Sequence, residues 1–326
     1  MKHIHWLIPY KIYDKNKITN VNIASVRLRA GLFLHDLFKD FDVTFNEDIS
    51  NINEIDILCV GKFAANRENL LEQWLNYINY LRKNKTKIIF DYTDHHLSKN
   101  TLASKFYNKA LKESDYIVTS SKKLKTHLKS RFKNIIIIED PIEINMKKIK
   151  KNKKSSFLFF GHQSNLDYLF KLIPLWDTSK EYKLIIQSSD IGLKKIQEQS
   201  QFIKKPNNLH IELQNWNVPN MLKAAEQSSG IIIPGDINDD RKNGVSHNRL
   251  ITSFALGLPV AATKYDSYLE FEHQFADIDN NKEFTNFLIN PSLFSSHTKM
   301  AQKKVEKYTA ENLALKWLDL INYENI

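Results

Sequence analysis

The chain has 326 residues, 42% hydrophobic and 26% charged, too many for one small core, ample for two domains of about 150 residues each and too apolar for a disordered chain. Its one cysteine, Cys59, excludes a disulfide framework and points to a reducing compartment, and no stretch approaches the roughly 20 apolar residues of a membrane-spanning helix. A formal charge of +10 suits a nucleic-acid, membrane or polyanion partner, but no zinc spacing or aromatic RNA-binding motif accompanies it, so nucleic acid is not expected.

The start, Met1 to Tyr10, reads as a first strand and not as a signal peptide: Pro9 ends its apolar stretch and no small-residue cleavage site follows. A cytoplasmic location is therefore expected. After a polar loop, Ser25-Val26-Arg27-Leu28-Arg29 opens a helical pattern with Leu32, Phe33, Leu34 and Leu37, and Arg27 or Arg29 is a candidate phosphate contact. Short runs rich in Ile and Val and lacking polar alternation then recur at Asp42 to Phe45, Ile55 to Val60, Lys87 to Phe90, Tyr116 to Thr119 and Ile135 to Ile138. Together with His3 to Ile8 they predict buried parallel strands. Between them Leu70, Leu71, Trp74, Leu75, Ile78 and Leu81 keep helical spacing, as do Leu102, Phe106 and Leu111. Strand and helix alternating in this way predict right-handed βαβ units.

Lysines crowd positions 147 to 154, where like-charge repulsion and the absence of apolar periodicity predict a linker. A second alternating series follows, with strands at Phe157 to Phe160, Lys183 to Gln187, His210 to Leu213, Gly230 to Ile233 and Val260 to Ala262, and helices around Tyr168, Met221 and Arg249. The last helical pattern, Val305 to Leu320, carries Tyr308, Leu313, Leu315, Trp317 and Leu318. The expected fold is α/β, with two Rossmann-like domains facing a cleft. The first spans residues 1–146, the linker 147–154 and the second 155–304, while a final helix in 305–326 packs at the domain boundary or crosses back to the first domain.

In open parallel sheets ligands bind beyond the carboxyl ends of the strands. Three loops at such ends carry the candidate chemistry. Gly161-His162 follows the strand Phe157 to Phe160, where a glycine lets a ligand approach the backbone and a helix start offers N–H groups to an anion. Pro234 opens a polar loop of unusual length that ends at Ser246, His247, Asn248 and Arg249. There a helix N-terminus and a guanidinium suit a diphosphate. That helix buries Leu250, Ile251, Phe254 and Ala255, has Gly257 suited to its C′ position and stops before Pro259. In the first half, Asp91-Tyr92-Thr93-Asp94-His95-His96 follows a strand, and Asp94 or His95 is placed to orient an acceptor hydroxyl or take its proton. Asp94 as a helix N-cap beside solvent-facing histidines is the structural alternative. Adjacent histidines point in different directions, so no metal site is read there.

Phe160-Gly161-His162, Trp216 followed by Met221-Leu222 and Ala224-Ala225, Ile233-Pro234, Asn248-Arg249-Leu250 through Ala255-Leu256-Gly257-Leu258-Pro259-Val260, and Asp266-Ser267-Tyr268 with Glu270-Phe271 occur in order. This pattern resembles the carboxyl-terminal half of GT-B glycosyltransferases, particularly the family 4-like enzymes of bacterial polysaccharide assembly. The resemblance implies a nucleotide-sugar donor on the second domain and a glycan or lipid-linked acceptor mainly on the first. It implies that Gly161 and His162 lie near the donor phosphates, that Arg249 neutralises them, that Asn248, Thr252 and Ser253 line the nucleotide or sugar, with Pro234 and Ser246 at the same end, and that Trp216 stands near the base or in the core. Transfer would need no metal or other cofactor. The setting it implies is capsule, O-antigen or related surface polysaccharide synthesis, and the lysine run adds an anionic inner-membrane surface as an expected partner.

The sequence departs from that pattern in one respect. The two glutamates that the family often carries eight positions apart fall on Gly244 and Thr252 here, so their hydrogen bonds to the sugar are missing, and the basic residue that often precedes Asn-Arg is displaced unless Arg241 or Lys242 replaces it. A sugar-nucleotide epimerase of similar fold and a noncatalytic glycan-binding or assembly protein are the rival expectations.

Overall fold

A computed structural model describes residues 1–12, 15–21, 23–32, 40–49, 54–64, 67–149 and 155–323. They form two compact units: residues 1–143 with 244–246 and 307–326, and residues 144–243 with 247–306. The expected helix residues Phe33, Leu34 and Leu37 and the lysines at 150–154 lie outside the described residues.

In the first unit six parallel strands stand in the order β2-β1-β3-β4-β5-β6. They are β1 (His3–Leu7), β2 (Asp42–Asn46), β3 (Ile57–Val60), β4 (Lys87–Tyr92), β5 (Tyr116–Thr119) and β6 (Ile135–Ile137). Runs such as Ile57-Leu58-Cys59-Val60 are buried at every position, as expected of strands covered on both faces. Short helix α1 (Ala24–Val26) continues as a π turn over Arg27–Gly31. Helices α2 (Asn69–Lys83), α3 (Leu102–Ala110) and α4 (Lys122–Leu128) follow β3, β4 and β5. Their buried side chains, among them Trp74, Ile78, Phe106, Leu124 and Leu128, share one core with Leu58, Val60, Ile88 and Ile117.

The second unit repeats the plan with the order β12-β11-β10-β7-β8-β9, again all parallel. Its strands are β7 (Ser156–Phe160), β8 (Tyr182–Ser188), β9 (Leu209–Asn215), β10 (Gly230–Ile233), β11 (Val260–Ala262) and β12 (Ala276–Asp277). Its helices are α5 (Leu166–Leu172), α6 (Asp190–Gln199), α7 (Val218–Gln227), α8 (Asp240–Asn243), α9 (Asn248–Ala255), α10 (Asn281–Ile289) and α11 (Ser295–Val305).

Two boundaries differ from the sequence reading. Lys147 and Lys148 are not free linker: the Lys147 N–H donates to the Ala255 carbonyl at 2.7 Å, and Gln302 Nε2 donates to the Lys147 carbonyl at 2.8 Å. The single terminal helix expected from Val305 is instead broken by a 3₁₀ turn, Glu306–Tyr308. Thr309, in extended conformation, then caps α12 (Ala310–Asn322) by accepting from the Asn312 N–H. Helix α12 belongs to the first unit. Its Trp317 ring lies 5.0 Å from that of Trp6, and Lys87 Nζ donates to the carbonyls of Leu320 and Tyr323 at 2.6 Å each, a cation at the negative end of the helix.

Candidate functional site

In the second unit the chain lays down β7, β8 and β9 in one direction and then returns to add β10, β11 and β12 on the other side of β7. The strand order therefore reverses between β7 and β10, and in doubly wound sheets the crevice beyond the carboxyl ends at such a point is where ligands bind. Gly161 ends β7 and Pro234-Gly235 ends β10. The Gly161 N–H donates to the Gln187 carbonyl and its carbonyl accepts from Ser188 Oγ at 2.8 Å, which holds the turn open. A Cβ on Gly161 would lie 3.3 Å from Arg249 Nη1 and 3.3 Å from Asn165 Nδ2.

Arg249 stands in the first turn of α9, and no side chain caps that helix's start. Its guanidinium hydrogen-bonds the buried Tyr268 hydroxyl, while Nη1, beside Gly161, is buried without a partner among the described residues. No carboxylate pairs with Arg249 among the described residues. An unsatisfied buried donor on a cation costs more than the usual 1–3 kcal/mol for a neutral group, and an anionic ligand would meet it. A second cation converges on the turn: Lys242 Nζ donates to Ser164 Oγ and to Asn165 Oδ1, each at 2.9 Å.

The remaining candidates of this half of the sequence differ in exposure. His162 is exposed, and its Nδ1 accepts from the Ser164 N–H at 3.2 Å, capping the turn Gln163–Asn165. Asn248 is half-buried at the start of α9, and Trp216 is half-buried rather than in the core, its N–H donating to the Ser188 carbonyl at 2.9 Å. Thr252 is fully buried and its hydroxyl has no partner among the described residues. Ser253 has a different task from the expected one: fully buried, it donates from Oγ to the Arg249 carbonyl at 2.6 Å, a bond within its own helix. Pro234 is buried backbone at the end of β10. Beyond it the long loop is tied down, with the Asp236 N–H donating to Tyr265 Oη at 3.1 Å, Tyr168 Oη to Asp239 at 2.7 Å and the Asp266 N–H to Asn243 at 2.7 Å. Ser246, half-buried, belongs with Gly244 and Val245 to the first unit.

The first unit has its own reversal, between β1 and β3. There Gly61 lets the chain pass β1, its N–H donating to the Leu7 carbonyl at 2.9 Å, and a Cβ would come within 3.0 Å of that oxygen. The next residue, Lys62, is ion-paired with Asp94, both side chains partly exposed. His95 is buried; its ring stacks on His127 at 4.3 Å and its Nδ1 lies 3.4 Å from the Tyr92 hydroxyl. His96 is only partly buried, with its ring stacked on Tyr107 at 5.4 Å. Burial pushes the Tyr92 hydroxyl up to about 12, so it stays protonated and takes the N–H groups of His96 and Leu97 as donors at 2.7 and 3.3 Å. Asp94 is thus the accessible member of this constellation and His95 the packed one.

Arg27 and Arg29 are not phosphate ligands. Arg27 Nε donates to Glu143 at 2.9 Å with both side chains buried. Arg29, fully buried, binds Asp91 at 2.7 Å, Asp140 at 3.2 Å and the Ile138 carbonyl at 2.7 Å. An amphipathic pattern cannot show that the π turn aims these guanidinia at acids far along the chain. A cavity of about 540 Å³ at the amino edge of the first sheet is likewise remote from the candidate chemistry, and its Arg82 and Lys87 are already engaged by Asp115 and by helix carbonyls. Asn165, Ser164 and Tyr268 are the residues that sequence reasoning gave no role; only their presence in the polar turn and in the Asp266-Ser267-Tyr268 segment hinted at them.

No protein-family model matches the chain, and no curated protein matches it in sequence. Solved structures do match in fold. TarM aligns over 82% of this chain with a TM-score of 0.58 and 13% identity, and the chain spans 55% of TarM. An α-glucosyltransferase, AGT, in complex with UDP, aligns over 99% of this chain and 100% of its own, with a TM-score of 0.66 and 10% identity. A glycosyltransferase from Rickettsia africae ESF-5 aligns over 98% and 97%, with a TM-score of 0.56 and 14% identity. At these identities the likeness is one of fold, and the fold is that of the GT-B glycosyltransferases, two α/β units each built on a parallel six-stranded sheet.

Proposed function

We propose that the chain is a glycosyltransferase that moves a sugar from a nucleotide-sugar donor held by its second unit to a glycan or lipid-linked acceptor engaged by its first, in the synthesis of a bacterial surface polysaccharide such as capsule or O-antigen. The observation that carries this reading is the buried, unpartnered Arg249 Nη1 beside Gly161 at the strand reversal of the second sheet. A diphosphate placed there would meet the guanidinium, Lys242 and the uncapped start of α9, a set that strengthens as charge develops on the leaving group. Metal independence belongs to the same proposal, because these groups supply the positive charge. His162, Asn248 and Thr252 border the donor in this reading and Trp216 stands near the base. Asp94, ion-paired with Lys62, is the acceptor base.

The structural neighbours support the donor class: AGT was solved with UDP, and a mutant of TarM with fondaparinux, α-GlcNAc-glycerol and UDP. The charge of the chain supports a site of action beside an anionic inner leaflet in the cytoplasm, where lipid-linked acceptors would be reached. The test is a panel of nucleotide sugars with and without acceptor, read by product analysis. The proposal expects transfer that requires acceptor and survives a metal chelator. Conversion of the nucleotide sugar without acceptor would make the chain an epimerase, and neither binding nor turnover across the panel would make it a noncatalytic glycan-binding protein.

A further inference from the structure

The positive charge of the chain is concentrated. Residues 99–133 hold ten Lys or Arg against two acids, Glu113 and Asp115, a net +8 of the chain's +10. In the structure this segment is helices α3 and α4 and their flanks, packed on one face of the first sheet and sharing its core. Each helix buries one side, Ala103, Phe106, Tyr107 and Ala110 on α3 and Leu124 and Leu128 on α4. Exposed lysines occupy the other side and its continuation, Lys105 and Lys109 on α3 with Lys112 in the turn that follows, and Lys122 and Lys125 on α4 with Lys129 at its carboxyl end. Arg131, just beyond α4, donates to Asn108 on α3 at 2.9 Å, so the two basic stripes adjoin.

The folded chain gains little from this arrangement. Like charges three and four residues apart on a helix repel, and Lys122-Lys123 at the start of α4 oppose the positive end of its dipole. Among the described residues Lys105, Lys112, Lys122, Lys125 and Lys129 have no acidic partner, and Asp115 is engaged by Arg82 outside the segment. Nine of the ten cations are lysine, a compact hydrated point charge without the fork that grips one phosphate bidentately, and no large aromatic side chain of the segment is exposed as a platform for bases. A broad lysine face of this kind matches a diffuse anionic surface better than a nucleic acid.

We propose that the outer face of α3 and α4 docks the protein on an anionic lipid bilayer, a role that the lysine run at 147–154 was expected to fill. This deepens the membrane part of the proposed function and rests on it. Helix α3 follows the loop bearing Asp94 and α4 the carboxyl end of β5, so the docked face borders the edge of the sheet where the acceptor candidate lies.

The test is flotation of the full chain with vesicles of phosphatidylcholine with or without phosphatidylglycerol, and with duplex DNA as a competitor. The wild-type protein is expected to bind only the anionic vesicles, less so in high salt. Joint replacement of Lys105, Lys112, Lys122, Lys125 and Lys129 by Gln should weaken binding by about a hundredfold or more while leaving the melting temperature equal or higher. A control in which the exposed Lys171, Lys204, Lys223, Lys282 and Lys299 of the second unit become Gln should bind as wild type. Equal binding by the five-lysine variant, or an equal loss in the control, would overturn this face as the docking surface while leaving membrane association standing. Absence of wild-type binding to anionic vesicles would remove the membrane reading itself, and binding of DNA in preference to them would assign the face to nucleic acid instead.

Discussion

His5 shows how much a single side chain in the interior decides. It is fully buried in β1, with Nδ1 2.9 Å from Thr44 Oγ1, and burial, aided by the nearby His3, lowers its pKa from 6.5 to about 4. Above pH 6.5 the ring is neutral in folded and unfolded chains alike and stability does not depend on it. Between pH 6.5 and about 4 the unfolded chain takes up a proton that the folded one refuses, so stability falls as pH falls, by on the order of 3 kcal/mol over that window. Urea unfolding at stepwise pH should show this slope in the wild-type chain and a shallower one in His5→Gln; parallel curves would refute it. At the same scale the sequence disclosed Arg249, Gly161 and Asp94 as candidates, because a strand end followed by glycine, or by a helix start with a cation, has a chemical meaning that residue type and order convey. It offered Lys242 only beside Arg241 and did not disclose its convergence with Asn165 and Ser164, which depends on how a long polar loop folds, or the burial of Arg27 and Arg29, whose acidic partners lie far along the chain.

Elements were legible where their signal was redundant. Strands such as Ile57–Val60 and Gly230–Ile233 combine β-branched side chains with burial on both faces, and α2 repeats its apolar stripe along its whole length. Missed or merged were α4, α6, α8, α10, α11 and the two-residue β12. Helix α11 buries only Thr298, Ala301 and Val305, too weak a stripe to distinguish from a loop, and two residues at a sheet edge have no period at all. Helix α9 was readable to its end. Gly257, at C′, has φ +74°, and a Cβ there would approach the Lys148 carbonyl oxygen to 2.4 Å. Gly257→Ala should therefore lower stability by at least about 1–3 kcal/mol, because it combines a left-handed backbone with a clash against backbone that is itself tied to Ala255. Denaturation with unchanged m-value and a lower midpoint is the expected reading, and an unchanged midpoint would show that the 147–149 segment is not held against α9.

At the scale of the whole molecule, each unit is a doubly wound sheet with its own strand reversal, and the candidate residues gather at these reversals: Gly161 and Arg249 in the second unit, Lys62 and Asp94 in the first. That plan followed from alternating strand and helix patterns, and the return of residues 307–326 to the first unit was one of the two expectations for the last helix; that residues 244–246 also join the first unit was not legible. The account predicts that donor binding is lost while the fold is kept when the unpartnered guanidinium is removed. Calorimetric titration of UDP and other nucleoside diphosphates into wild-type chain and Arg249→Ala is the most direct measurement. The expected result is saturable wild-type binding to at least one of them, weakened roughly 10- to 100-fold in the variant, as for loss of charge-assisted hydrogen bonds, with the ligand-free melting temperature unchanged. Equal affinity in the two proteins, or no affinity of the wild-type chain for any nucleoside diphosphate, would contradict it.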